Sequence, residues 1–127
     1  MISKSVDLAR AGVIYAPPTF KLAGEQTLKE ICNGCGNSRS KFDFIPDHIW
    51  GTDVSPACCV HDYMYHTGSD IEDKNEADRV FLNNMLRLIE RDRHKWYKPT
   101  WLQRWRAVTY YNAVVTFGGP AFWLHKN

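Results

Sequence analysis

The stretch CCVHDYMYH, residues 58–66, carries the side chains of this sequence that are best suited to chemistry. On a helix, Cys58, His61, Asp62 and Tyr65 lie along one stripe, because separations of three, four and seven residues return to the same face. A histidine can act as a general base, and a neighbouring carboxylate can bind a cation. The spacing therefore predicts a histidine, a carboxylate and a phenol that project together.

A second carboxylate, Asp78, is predicted to face the protein core from the next helix. The apolar residues that follow it at helical spacing are Phe81, Leu82, Met85, Leu86 and Ile89. A buried carboxylate is costly unless it is paired, and a ring N–H of His61 is its natural partner. Such a pair fixes the tautomer and leaves the other ring nitrogen as a base. Taken singly, each residue also has a common structural role, as a core histidine or as an aspartate near a helix N-terminus.

The elements that must position these side chains are predicted to be helices. Ser55-Pro56 is a good helix start, with Ser55 able to cap free amides, and Gly68 is suited to a left-handed stop. Pro99 and the Gly118-Gly119-Pro120 stretch end later helices. The predicted helices are a short turn at 25–31 and longer helices at 55–66, 71–94 and 100–117, whereas strand signals are weak.

The remaining chain completes a mainly α single domain of residues 1–127. Residues 1–24 are predicted to form an irregular arm, because the Pro17-Pro18 pair blocks a helix and Gly24 marks a boundary. A long loop, 32–54, is rich in turn formers and flanked by cysteines, which favours a functional loop.

Composition excludes several classes of protein. A net charge of +2 is too small to indicate nucleic-acid binding, although Lys and Arg crowd into residues 87–106. No stretch reaches the ~18 apolar residues of a membrane helix, and no signal peptide is visible. Four cysteines permit two disulfides, which would favour a secreted or periplasmic protein, but the count is equally compatible with reduced thiols or a metal site. A cytoplasmic location or another delivery route therefore stays open.

Three segments together resemble the phospholipase A2 family, over about residues 32–85. ACCVHDYMY is similar to the Cys-x-x-His-Asp-x-x-Tyr signature of that family, and CNGCGNS, residues 32–38, resembles the calcium loop of its bacterial and fungal members. EADRVFLNNM resembles the second catalytic helix, with Asp78 at the position of the supporting aspartate. The chain departs from the secreted animal enzymes in its longer loop and its fewer cysteines.

The resemblance implies a fold and a reaction. Two long antiparallel helices would carry the active site, with a calcium-binding loop and an additional helix. His61 would activate a water molecule that attacks a fatty-acyl ester of a phospholipid at a membrane or micelle surface. Tyr65, with Tyr110 or Tyr111, would hydrogen-bond Asp78. A monomer is expected.

The resemblance also implies a Ca²⁺ site and a disulfide. The ion's ligands would be Asp62, Asn33 and the backbone carbonyls near Gly34 and Gly36, with the Gly36 amide stabilising the oxyanion. Cys35 would bridge to Cys58. Cys59 has no counterpart in the family, so a bridge to Cys32 and a buried free thiol are both open.

Three further alternatives stay open at this point. The run KWYKPTWLQRWR, residues 95–106, is suited to a membrane surface, but Trp101, Trp105 and Val108 could equally form a core stripe. Cys32-x-x-Cys35 with Cys58, Cys59 and His61 could form a zinc module. The fold could also serve as a catalytically inactive binding or toxin module.

Overall fold

The computed structural model describes residues 2–32, 48–92 and 99–123, and it is mainly helical, as predicted. Within these ranges the helices and strands are α1 (Ile2–Arg10), α2 (Pro18–Leu22), α3 (Glu25–Ile31), β1 (His48–Ile49), β2 (Thr52–Asp53), α4 (Ser55–Thr67), α5 (Ile71–Asp92), α6 (Thr100–Phe117) and α7 (Gly119–Trp123). The predicted starts of α3, α4, α5 and α6 are confirmed, and so is the end of α6.

Helices α4 and α5 pack side by side in opposite directions. Tyr65, near the end of α4, contacts Asp78, whereas His61, one turn earlier, contacts Phe81, which lies further along α5. The apolar stripe predicted for α5 is buried at Phe81, Met85 and Ile89. The tight connection between the helices therefore brings the two stripes identified in the sequence face to face.

Helix α5 also packs antiparallel against α6. Its first turns contact the end of α6, where the Lys74 ammonium lies 3.2 Å from the carbonyl oxygen of Val114. Its last turns contact the start of α6, where Arg104 and Glu90 form an ion pair at 2.8 Å. Helix α5 thus lies between α4 and α6, and its buried side chains contact both.

The N-terminus of α4 is held by Asp53 rather than by Ser55. The Asp53 carboxylate accepts the Ser55 amide at 2.9 Å and the Ser55 hydroxyl at 2.6 Å, so the predicted cap residue is instead the first residue of the helix. A carboxylate is the better acceptor here because its negative charge is stabilised by the dipole at the N-terminus of a helix.

The end of α4 depends on Gly68, although for a different reason than predicted. Gly68 has φ −71° and ψ 156°, which is extended and not left-handed. A Cβ built there would lie 2.9 Å from the Phe122 ring and 3.0 Å from Asp73 Cβ. Glycine is therefore needed at this position for close packing, and not for its conformational freedom.

A short antiparallel hairpin precedes α4, which the weak strand signals did not predict. β1 and β2 pair His48 with Asp53 and Ile49 with Thr52. Both turn residues, Trp50 and Gly51, have positive φ, as in the tight turns that two-residue hairpins favour. The strands are too short for an alternating pattern to be visible in the sequence.

The hairpin is fixed to α6 by one buried amide. Gln103, which is fully buried, donates from Nε2 to the Ile49 carbonyl at 2.9 Å and to Thr52 Oγ1 at 2.8 Å. Because a buried N–H donor is costly unless it is hydrogen-bonded, these contacts of Nε2 fix the hairpin against the helix.

The prediction of an irregular arm over residues 1–24 is wrong, since α1 and α2 lie within it. Ser5, Leu8 and Ala9 are buried at helical spacing, and α1 packs on α4. Pro18 starts α2 instead of blocking it, because the first helical position needs no backbone N–H donor.

The outer face of α6 carries the tryptophans that could have formed a core stripe. Trp101 is 72% exposed, Trp105 57% and Val108 42%, so the core interpretation is wrong for these residues. The buried residues of α6 are instead Gln103, Ala107 and Val114. Among the helices at 2–31, 55–92 and 100–123, none is long and apolar enough to cross a membrane.

Candidate active site

Asp78 lies at the centre of a buried polar cluster formed by α4 and α5. Its side chain is 1% exposed, and both of its oxygens accept hydrogen bonds. Oδ1 lies 2.9 Å from Nε2 of His61 and accepts the Tyr65 hydroxyl at 2.6 Å. Oδ2 accepts the Lys74 ammonium at 2.8 Å. The predicted pairing of His61 and Tyr65 with Asp78 is present in the structure.

His61 is held in place by aromatic rings as well as by Asp78. Its ring centroid lies 4.1 Å from that of Tyr65 and 4.6 Å from that of Phe81, and the residue is 4% exposed. Burial lowers the pKa of His61, and this effect exceeds the opposing one of the hydrogen bond to Asp78. The ring is therefore neutral near pH 7, with Nε2 as donor and Nδ1 as acceptor.

The carboxyl group of Asp78 is ionised despite its burial. Burial raises its pKa, but the hydrogen bonds from His61, Lys74 and Tyr65 lower the pKa further, so it lies below the ordinary value. The pKa of Tyr65 is raised by burial, by its hydrogen bond to Asp78 and by the charge of Asp62. The phenol thus stays protonated and always donates.

Lys74 is a member of the cluster that the sequence analysis did not identify. Its side chain is 5% exposed, and besides Asp78 it donates to the carbonyl oxygen of Val114 in the last turn of α6. The signal was present, because Lys74 precedes Asp78 by four residues and so shares its helix face. A lysine in the first turn of a helix is nevertheless ordinarily solvated.

The predicted hydrogen bonds from Tyr110 or Tyr111 to Asp78 are not present among the residues at 48–92 and 99–123. The second oxygen of Asp78, Oδ2, accepts the Lys74 ammonium instead. Tyr110 packs instead against the hydrophobic core. An ammonium therefore replaces a second phenol as the donor to the supporting carboxylate.

Asp62 lies on α4 next to His61 and is half-buried, with its Oδ2 shielded from solvent. Its charge acts on Tyr65, which places it beside the cluster. It is the one predicted calcium ligand that lies within the described residues. Within the ranges that the structure covers, no three His, Cys, Asp or Glu side chains gather in a metal-binding arrangement. The other predicted ligands, Asn33, Gly34 and Gly36, lie outside the described residues.

A disulfide joins Cys32, at the end of α3, to Cys59 of α4, and the two cysteines are 27 positions apart in sequence. This bond confirms one of the two possibilities for Cys59 and rules out a buried thiol. Cys58 is disulfide-bonded as well, and its predicted partner Cys35 lies outside the described residues. A cysteine in a disulfide has no thiolate to ligate zinc. The zinc-module interpretation is therefore wrong for Cys32, Cys58 and Cys59.

Comparison with known proteins gives no family for this chain. No protein-family model, no curated protein and no solved structure matches it.

Proposed function

We propose that this chain is a calcium-dependent hydrolase of the phospholipase A2 type, which cleaves a fatty-acyl ester of a phospholipid. The observation that carries the proposal is the buried contact of 2.9 Å between His61 Nε2 and Asp78 Oδ1. Tyr65 donates to the same oxygen, and the two helices that carry these residues are antiparallel. A neutral histidine oriented by a buried carboxylate is the arrangement that general-base catalysis requires.

His61 would act on water rather than on a protein nucleophile. Asp78 stays ionised and accepts a hydrogen bond from the N–H at Nε2. The lone pair of Nδ1 is then available to take a proton from a water molecule. The water oxygen then forms a bond to the ester carbonyl carbon. When the carbon–oxygen bond to the glycerol breaks, His61 returns its proton to the leaving alkoxide. No covalent acyl-enzyme forms on this route.

Among the described residues, Asp62 is the support for a calcium site. Asp62 offers the hard carboxylate oxygen that Ca²⁺ prefers, on the residue next to His61. Asn33, Gly34 and Gly36 would supply the other ligands, and the Cys32–Cys59 disulfide fixes the residue before Asn33 to α4. A bound Ca²⁺ would neutralise the charge that develops on the ester oxygen, together with the Gly36 amide.

The disulfide also bears on where the protein works. A disulfide persists most readily in an oxidising compartment, which is compatible with a secreted or periplasmic enzyme.

Fatty-acid release from a phospholipid tests the proposal directly. Wild type should release fatty acid with millimolar calcium and stop when a chelator is added. His61→Gln should lose at least about a hundredfold in kcat, because the general base is removed. Leu22→Ala, an exposed change on α2, is the control and should keep full activity. Absence of release from folded wild-type protein would reject the proposal in favour of a binding module.

The two carboxylates should separate in their effects. Asp62→Asn should lose calcium affinity and activity together, because Asp62 is a proposed ligand. Asp78→Ala should slow turnover while calcium still binds, because Asp78 contacts His61 and not the proposed ligand set. Titration calorimetry measures the calcium affinity of each variant. Wild-type calcium binding by Asp62→Asn would remove Asp62 from the ligand set.

A further inference from the structure

The outer face of α6 presents an apolar stripe to solvent. Trp101, Trp105, Val108 and Val115 follow one another at separations of four, three and seven residues, which places them on one side of the helix. Their exposed fractions are 72%, 57%, 42% and 45%. Single exposed apolar residues are ordinary, whereas a contiguous stripe with two tryptophans marks an interaction surface.

The hairpin turn adds a third tryptophan to this surface. Trp50 is 46% exposed, and the guanidinium of Arg106 lies 5.9 Å from its ring centroid and 5.0 Å from that of Trp105. Trp50 also has a φ of +44°, a conformation that a bulky residue rarely adopts. Glycine would fit this turn without strain, so a tryptophan there indicates a role for its side chain.

The charge of the chain is unevenly divided along the sequence. Residues 93–127 hold six of the sixteen Lys and Arg and none of the fourteen Asp and Glu. The first 92 residues therefore hold ten basic and fourteen acidic residues. The segment that includes α6 is thus positive, although Arg104 is paired with Glu90 of α5. An apolar stripe with tryptophans and arginines in a segment free of acids complements an anionic lipid surface.

We propose that the α6 stripe, with Trp50 and Arg106, binds the surface of an anionic phospholipid bilayer. Tryptophan rings favour the boundary between headgroups and acyl chains, and the arginines attract the phosphates. A second copy of the chain fits less well, because it would bring two positive segments together. The choice of a phospholipid surface rests on the proposed function, but the binding itself needs neither calcium nor catalysis.

Co-sedimentation with vesicles in the presence of a chelator tests this proposal. Wild type should bind vesicles of phosphatidylcholine and phosphatidylglycerol in equal parts, and bind phosphatidylcholine vesicles more weakly. Trp101→Ala with Trp105→Ala should weaken binding at least about tenfold, because two exposed rings no longer insert. Arg106→Gln should weaken it about fivefold, as expected for one charge near the surface. Leu22→Ala removes an exposed apolar side chain outside the stripe and should bind as wild type does.

Absence of wild-type binding to the mixed vesicles would overturn the proposal, and so would either of two further results. One is wild-type binding by the double tryptophan variant with its melting temperature unchanged. The other is a wild-type dimer in sedimentation equilibrium that this variant converts to a monomer, since a second copy would then cover the stripe. Hydrolysis of a monomeric short-chain phospholipid separates the two proposals. Activity on this substrate without vesicle binding would reject only the proposed membrane surface. Vesicle binding without activity would reject only the proposed hydrolase function.

Discussion

Replacing Lys74 by Met tests how the site keeps its central carboxylate ionised. Lys74 Nζ lies 2.8 Å from Asp78 Oδ2, and neither side chain is more than 5% exposed. Methionine keeps an apolar stem of similar length but removes the ammonium, so Oδ2 is left buried without this donor. Loss of one partner of a buried ion pair costs about 3–5 kcal/mol. Because Oδ1 keeps both of its donors, we expect a loss of unfolding free energy at the lower end of this range, about 3 kcal/mol.

The same ammonium also stabilises the end of α6. That helix has no basic residue of its own in its last turn, and Lys74 donates to the Val114 carbonyl there at 3.2 Å. A cation near a helix C-terminus is worth about 0.3–1 kcal/mol. Lys74→Met should therefore also destabilise the end of α6. The expected total loss of unfolding free energy stays within about 3–5 kcal/mol.

Urea denaturation at pH 7 measures this loss, and a second pair of residues provides the control. Glu25 and Lys29 have the same spacing of four residues on α3, but their charges are 3.9 Å apart and their side chains are 61–66% exposed. Lys29→Met should cost no more than about 0.5 kcal/mol. If Lys74→Met costs as little as Lys29→Met does, water or a proton satisfies Asp78, and the argument from burial is refuted.

Three further outcomes follow from the packing, the disulfide and the ionised carboxylate. Gly68→Ala should lower the free energy of unfolding by about 1–3 kcal/mol because its Cβ meets an α7 ring at 2.9 Å, whereas Gly24→Ala, with open space around it, should change little in the same urea titration. Cys32→Ser with Cys59→Ser should cost about 3–4 kcal/mol from the lost closure of 27 residues, and thermal melting with a depression of only a degree or two would contradict this. The pKa of Asp78 is lowered, so its contribution to stability is complete above the ordinary value of 3.8 and is lost as pH falls below it. Acid titration should accordingly show a shallower loss of stability for Asp78→Asn than for wild type.

The sequence predicts the centre of the site because local chemistry and periodicity agree there. Separations of three, four and seven residues place His61 and Tyr65 on one face of α4, and the apolar stripe after Asp78 requires that carboxylate to be buried. A buried carboxylate needs donors, and the histidine and the phenol are the nearest candidates once the helices are antiparallel. The pair is therefore predictable without knowledge of the rest of the fold.

Lys74 is not predictable in the same way, because its burial depends on a third helix. From the sequence it is a polar residue in the first turn of α5, next to acidic residues. Only the packing of α6 across α5 encloses its ammonium and provides the Val114 carbonyl as a second acceptor. The expectation of a tyrosine from α6 at Asp78 is wrong for the same reason, because α6 reaches this cluster with a backbone carbonyl that accepts from Lys74.

Helix α6 shows why periodicity alone cannot choose between two faces. Gln103, Ala107 and Val114 lie inside, whereas Trp101 and Trp105 lie outside. Both sets have helical spacing, and the outer set is the more apolar of the two. The inner set is selected in part because Gln103 hydrogen-bonds the hairpin, which a hydrophobicity pattern does not record.

The two faces of α6 can vary independently, and this property links the site to the proposed membrane surface. The contact of α6 with the buried polar cluster around Asp78 runs through the backbone carbonyl of Val114, which accepts from Lys74 and which a change of an outer side chain leaves in place. Substitutions of Trp101 or Trp105 should therefore alter where the protein binds without altering the geometry of His61 and Asp78. A helix that contacts the cluster through its backbone keeps its outer side chains free for a surface, so loss of vesicle binding with intact hydrolysis of a monomeric substrate is the expected phenotype of the outer face.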